Sequence, residues 1–371
     1  MSVWVTANSL VSPLGVTVEE NYSSIRQNGA AISEVTDTSL SPTPFFAGQI
    51  SGFHATSTQT KFEAICVKAA EIALDNIALD PARTLYILST TKGNIRLLEQ
   101  QSGDHLRIHL PATAQWLASR AGLNHYIVVS NACISGVLAI IVAKRFLESG
   151  KYDHAVIVGA DVLSKFVVSG FQSLQALSPE PCRPFDAERK GINLGEAAAA
   201  LVLSSKPDTP GLQPSIKITG GGLSNDANHI SGPSRTGDEL GFAIRQALQE
   251  AGKSPEEIDF ISAHGTATLF NDEMEANAFH HAGMSGVPLN SLKGYYGHTL
   301  GAAGVVETLM SVQSLLHNEI LATKGFKKSG VSRAVHVSGD RISKPLTTCL
   351  KTASGFGGCN GAIVLEKENN F

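Results

Sequence analysis

Cysteine is scarce and unpaired in this 371-residue chain. Cys66, Cys133, Cys182, Cys349 and Cys359 are five in number, and no two stand in a C-x-x-C spacing. An odd, scattered set excludes a disulfide framework and the usual zinc spacings, so no metal is expected. Long apolar runs are missing as well. The longest, G-V-L-A-I-I-V-A at 136–143, falls far short of the roughly 20 residues that span a bilayer. The start, M-S-V-W-V-T-A-N-S-L-V-S-P-L-G, has no basic segment followed by an apolar core, so it does not read as a secretory signal. Basic excess is absent too. Against 33 Asp+Glu stand 29 Lys+Arg, a net charge of −4, which leaves no field for nucleic acid. What these shortages leave is a cytoplasmic protein with no membrane span and no nucleic-acid partner.

What is present is a globular composition, 43% hydrophobic and 17% charged, at a length that suits two domains or one body with two cores. Thirty-five glycines fall in short clusters, as tight turns and close backbone approaches require. The best break is S-S-K-P-D-T-P-G-L-Q-P at 204–214, a Pro/Ser/Gly stretch between apolar runs. It divides the chain into halves, 1–205 and 206–371.

The halves echo one another. Residues 69–93 and 243–266 each read as amphipathic helix, turn, buried strand and polar loop. Residues 125–150 and 287–316 each read as strand, small-residue elbow and long apolar helix. N-L-G-E-A-A-A-A-L-V-L-S-S-K and F-G-G-C-N-G-A-I-V-L-E-K-E close each half with a glycine turn and a strand. Strands alternating with helices give an α/β class with buried sheets. A helix apolar nearly all round, such as 136–147, belongs in a core. Two similar α/β units packed across such helices would set the two elbows face to face, bringing Cys133 and His298 together.

Three stretches carry chemistry. In I-V-V-S-N-A-C-I-S-G at 127–136, a thiol stands at a helix start, where the helix end and a nearby imidazole favour thiolate. Its small neighbours Ala132, Ser135 and Gly136 leave room for substrate and a tight turn. In S-A-H-G-T-A-T-L-F-N-D-E-M-E-A-N at 262–277, His264 leaves a strand ahead of a helix opened by acids. In K-G-Y-Y-G-H-T-L-G-A-A-G-V-V-E at 293–307, Lys293, His298 and Glu307 surround a Gly-Ala helix start. The turn S-G-F-G-G-C-N-G at 354–361 offers backbone N–H groups to a developing oxyanion.

In this order, with R-P-F-D-A-E-R-K-G-I-N-L-G-E-A-A between them, the motifs resemble those of the β-ketoacyl synthases of the thiolase superfamily, and the resemblance runs nearly end to end. These are elongating condensing enzymes that work on carrier-protein thioesters. The resemblance implies duplicated α/β halves in a layered αβαβα sandwich, no cofactor, and acyl and malonyl thioesters of an acyl carrier protein as substrates. It implies that Cys133 takes the acyl chain, that His264 and His298 hold the malonyl carbonyl while carbon dioxide leaves, and that the N–H groups of Cys133 and Phe356 hold the oxyanion. Lys293, paired with Glu307, would orient the histidines, and Asp272 and Glu275 would brace the loop after His264. Asn131, Ser354, Thr266 and Thr268 would line the substrate path. The family forms dimers through a strand of the first half, either homodimers or heterodimers with a related chain-length subunit.

Some positions depart from the family. Ser354 stands where an aromatic is usual, opening the pocket or making it polar. Asn131, Ala267 and Cys359 replace other small residues, and the loop at 90–110 is short. These changes favour a specialised synthase of the polyene or polyketide-pigment kind. The densest basic stretch, K-G-F-K-K-S-G-V-S-R at 324–333, reads as a solvated face, with carrier docking as its functional alternative. Two other readings stand beside the main one. A non-catalytic chain-length-type partner would lack the reactive cysteine, which is present here. A thiolase-like CoA acyltransferase would not use two histidines in these two motifs.

Overall fold

A computed structural model describes residues 2–99, 105–213, 216–227 and 232–368. Along the strand Ala197–Ser204 every residue is buried, yet successive side chains serve different cores, as the two-residue period of a strand requires. Ala198, Ala200 and Val202 face a core built on helices Lys61–Ala73 and Leu110–Arg120. Ala197, Ala199, Leu201 and Leu203 face a second core with helices Ser135–Glu148 and Ala303–His317. A sheet covered on both faces has no polar side, which is why its strands read as continuous apolar runs.

The first unit orders its strands in space as His125–Val129, Thr84–Ser89, His154–Asp161, Ala197–Ser204 and Trp4–Val11. The second orders Pro288–Asn290, Phe260–Ser262, Thr348–Gly355, Cys359–Lys367 and Ile216–Asn225, with His336–Val337 added at the outer edge. Both units therefore follow the order third, second, fourth, fifth, first. In both, the second strand runs parallel to its two neighbours while the fifth is antiparallel to both of its own. They join at Trp4 and Val5, paired with Lys217 and Ile216. Helix Asp238–Ala251 covers the outer face of the second unit, and its core takes Leu350, Ala362 and Val364 from the strands. The layers are αβαβα.

The two central helices cross at glycine. A Cβ on Gly136 would lie 2.7 Å from Val305 N, and one on Gly304 would lie 2.4 Å from Val137 N. Backbone meets backbone there, so no larger residue fits. The space beside Gly136 is filled by the opposing helix, not left for substrate as the sequence alone suggests. Because the crossing falls in the first turn of each helix, it draws together the elbows that precede them. That packing is what brings the site's two halves into one place.

Candidate active site

The elbow before helix Ser135–Glu148 is held in an unusual conformation. Ala132 has φ +44°, a left-handed value that side chains disfavour by about 1–2 kcal/mol. The Ser135 hydroxyl donates to Ala132 O (2.7 Å) and accepts from Asn131 N–H (2.8 Å), which pins the turn. No side chain caps this helix, so its positive end is left to the elbow that carries Cys133. The Phe356 N–H, from the turn between the last two strands, hydrogen-bonds the Cys133 sulfur. Gly355 packs so closely that a Cβ there would come within 3.0 Å of Cys133 N.

Opposite the sulfur stand both imidazoles. One ligand atom each from Cys133, His264 and His298 lie mutually within 4.8 Å, and the two rings meet edge-on with centroids 5.2 Å apart. All three residues are buried. Burial pushes the Cys133 thiol up to about 11, although the Lys293 ammonium and the Phe356 N–H oppose it. The resting form at neutral pH is thus the thiol. The helix end and the imidazoles, which suggest thiolate from sequence, are outweighed by loss of water. Burial, then the Lys293 ammonium, hold His264 and His298 well below 6.5, so both rings are neutral.

Lys293 Nζ lies 3.3 Å from His264 Nδ1, 2.6 Å from His264 O and 2.6 Å from Glu307 Oε1. An ammonium has no lone pair, so Nδ1 must accept and the ring proton must sit on Nε2. His298 differs: among the described residues neither of its ring nitrogens has a hydrogen-bond partner. A buried imidazole without partners is free to accept one proton and donate another.

The loop after His264 hangs on two carboxylates. Glu275 accepts from the N–H groups of His264 (2.8 Å) and Gly265 (2.6 Å), and Asp272 accepts from Thr266 (3.0 Å), Ala267 (3.2 Å) and Phe185 (2.7 Å). Asn271 and Thr352 add side-chain hydrogen bonds to Glu275 (2.9 and 3.2 Å), and Asn271 adds one to Asp272 (3.4 Å), so both acids serve to hold the loop. The Thr266 and Thr268 hydroxyls hydrogen-bond each other (2.8 Å). They share a cavity of about 480 Å³ with Cys133, both histidines, Ser354 and Phe356. Ser354 donates to Asn360 Oδ1 (2.8 Å), making polar one wall of the cavity it shares with Cys133. Asn131 is not part of that wall; its side-chain oxygen accepts from the Cys359 thiol at 2.9 Å. The basic stretch at 324–333 packs on 183–190, with Arg189 donating to Gly330 O (2.7 Å). Of the short loop at 90–110, residues 100–104 lie outside those described. The described part anchors through Thr90 and Thr91 on buried Asp161.

One member of the site was not singled out from sequence. Lys351, fully buried in the strand Thr348–Gly355, reaches Glu307 Oε2 at 2.6 Å. A lone lysine inside T-C-L-K-T-A-S was the available signal.

Residues 114–209 match the family described as beta-ketoacyl synthase, N-terminal domain, and residues 216–327 match beta-ketoacyl synthase, C-terminal domain. The 3-oxoacyl-[acyl-carrier-protein] synthase 2 of Vibrio cholerae is 30% identical over 413 residues, covering 98% of this chain and 99% of that one. A chain of the ketosynthase–chain length factor complex of Xenorhabdus doucetiae superposes with TM-score 0.89 at 27% identity, covering 99% and 98%. The ishigamide ketosynthase/chain length factor gives TM-score 0.90 at 27% identity, covering 99% of each chain. Among the described residues no helix is long and apolar enough to cross a membrane.

Proposed function

Because the chain belongs to the β-ketoacyl synthase family, and so to the condensing enzymes of fatty acid or polyketide elongation, we propose that Cys133, His264 and His298 perform a decarboxylative Claisen condensation. The observation that carries this reading is a buried thiol within 4.8 Å of two neutral imidazoles, one of them fixed by an ammonium on Nδ1.

In the first half-reaction the Cys133 thiol passes its proton to His298 as sulfur attacks the donor thioester carbonyl. The tetrahedral oxyanion is held by the N–H groups of Cys133 and Phe356. The carrier thiolate leaves and takes the proton back, so His298 ends neutral. In the second, the malonyl thioester oxygen accepts N–H bonds from His264 Nε2 and His298. The bond to the carboxylate breaks, carbon dioxide leaves, and its electron pair forms the enolate. The enolate carbon then attacks the acyl-cysteine carbonyl, the C–S bond breaks, and the Cys133 thiolate that leaves takes one proton from solvent water. Lys293 and Glu307 keep His264 in the donor tautomer, while Asp272 and Glu275 hold its loop. Thr266, Thr268, Ser354 and Phe356 line the path of the thioester, and Asn131 supports it through Cys359.

The partner is an acyl carrier protein, and the exposed sheet edge His125–Val129 supports pairing with a second copy or a related chain-length subunit. Five free thiols suit a reducing cytoplasm, where we place the enzyme. The polar Ser354–Asn360 wall supports a specialised chain over a housekeeping one. The test is the intact mass of the protein after incubation with saturated, polyunsaturated and aryl carrier-protein thioesters, alone and with malonyl carrier protein. A Cys133-dependent adduct that is consumed by malonyl thioester with release of carbon dioxide is the expected result. An adduct that turns over with acetyl-CoA and releases no carbon dioxide would replace this reading with a thiolase-like one.

A further inference from the structure

Beneath the two histidines lies a cation that the condensation as described does not use. Lys351 shares a strand face with Cys349 and Ala353, both of which belong to the central core, so its side chain enters the layer of helix Ala303–His317. There its Nζ meets Glu307 Oε2 at 2.6 Å and the carbonyls of Ser262 (3.2 Å) and Ala263 (3.3 Å). Three acceptors match the three donors of an ammonium. The same carboxylate holds Lys293 through its other oxygen, also at 2.6 Å. One glutamate therefore stands between two buried lysines, and the carbonyls that Lys351 grips are those of the two residues before His264.

A single Lys–Glu pair would already satisfy Glu307. A second ammonium changes two things. It pulls Glu307 from the far side, so Lys293 is left shared between the carboxylate and His264 rather than drawn wholly to the carboxylate. It also adds a second positive charge that opposes protonation of both imidazoles. We infer that Lys351 is a positioning residue for the decarboxylation step: by dividing Glu307 with Lys293 it keeps the Lys293 ammonium on His264 Nδ1 and the two imidazoles in their neutral donor form. This inference rests on the decarboxylating reading of His264 and His298.

The charged and titratable groups around the imidazoles come from six elements. They are Lys293 on the short helix Lys293–Tyr296 before His298, Glu307 on helix Ala303–His317 after it, Lys351 on its strand, and Glu275 on helix Leu269–His281. Cys133 sits on the elbow, and Asp161 ends the strand His154–Asp161. After the effect of burial, Lys293 and Lys351 both push His264 and His298 down, and both favour the Glu275 carboxylate. Removing Lys351 leaves Glu307 and Glu275 facing one ammonium instead of two, so the rings protonate at higher pH. A protonated His264 cannot accept from Lys293, and its donor tautomer is no longer enforced.

The test is the pH–rate profile of malonyl carrier protein decarboxylation by wild type and Lys351→Met, with acyl loading of Cys133 measured by mass on the same samples. The expected result is an acid limb moved upward by about one pH unit in the variant, with decarboxylation on that limb reduced about tenfold and acyl loading retained above the limb, where both rings stay neutral. Lys351→Met/Glu307→Gln, which removes a cation and an anion together, should return the limb toward its wild-type position. That double variant is the one to read if Lys351→Met does not fold. An unmoved limb in Lys351→Met, or a double variant whose limb stays with the single one, would overturn the inference whatever the absolute rate. If wild type itself releases no carbon dioxide, it is the reading of the reaction that fails.

Discussion

Replacing Gly304 with alanine tests whether the helix crossing positions the reaction. The added Cβ would stand 2.4 Å from Val137 N and 2.8 Å from Gly136 C. Both are backbone atoms within a helix, so no side chain can rotate aside. Reaching ordinary contact at 3.4 Å requires the helices to part by 1.0 Å at their first turns. Overpacking of this kind costs about 1–3 kcal/mol, which a domain of about 5–15 kcal/mol stability survives. Function is more sensitive. The elbows bearing Cys133 and His298 ride on those turns, and a misplacement of about 1 Å between reacting groups costs on the order of 10²-fold in rate. Gly304→Ala should therefore fold, load acyl chains slowly, and condense about a hundredfold more slowly than wild type, with melting lowered by several degrees. Gly170→Ala is the control: its Cβ meets nothing within 4 Å, and in helix Lys165–Ser173 it should stabilise by about 0.5–1 kcal/mol without loss of rate. Steady-state condensation and thermal unfolding on both variants decide the matter. Gly304→Ala with at least half the wild-type turnover would refute the argument.

Two further outcomes follow from the same geometry. Burial pushes the Glu307 carboxyl up, but the Lys293 and Lys351 ammoniums outweigh it and hold it below 4.5. A depressed folded value means that this group's contribution to stability is present above 4.5 and is lost as pH falls through the folded value. Glu307→Gln should lower stability at pH 7 and flatten the acid limb of a denaturation series, and an acid limb as steep as wild type would contradict the assignment. Ser354→Phe puts a ring against the Cys133 wall of the 480 Å³ cavity and breaks the bond to Asn360. In competition between thioesters of different length, read by mass, the variant should shift toward shorter chains; an unchanged preference would show that this wall does not touch the acyl group.

The layered α/β class was legible because each half writes helix, strand and elbow in the same order, and because runs such as Ala197–Ser204 are apolar at every position. Strand order was not, since neighbouring positions such as Phe260–Ser262 beside Thr348–Gly355 are about 90 residues apart and nothing local marks their pairing. Gly136 shows a subtler limit. A glycine beside a nucleophile reads equally as space for substrate or space for another backbone, and only the helix Ala303–His317 across from it decides for the second. Lys351 gives little sign of itself in the sequence, because a lysine in a strand ordinarily marks a wet face. This strand has none: its neighbours Leu350 and Thr352 are buried as well.

Burial is also what the elbow motif cannot express, and it changes how the nucleophile must work. A thiolate preformed by the helix end would react with any electrophile that entered. With the thiol pushed up to about 11, the sulfur is protonated until a base can take the proton in the same step as attack. His264 cannot be that base, because its Nδ1 accepts from Lys293 and its Nε2 carries the ring proton. His298, unpartnered at both nitrogens, can. The asymmetry between two histidines that look alike in sequence therefore comes from one ammonium, and in the proposed reaction it divides their labour: His298 would move a proton, and His264 would only donate a hydrogen bond.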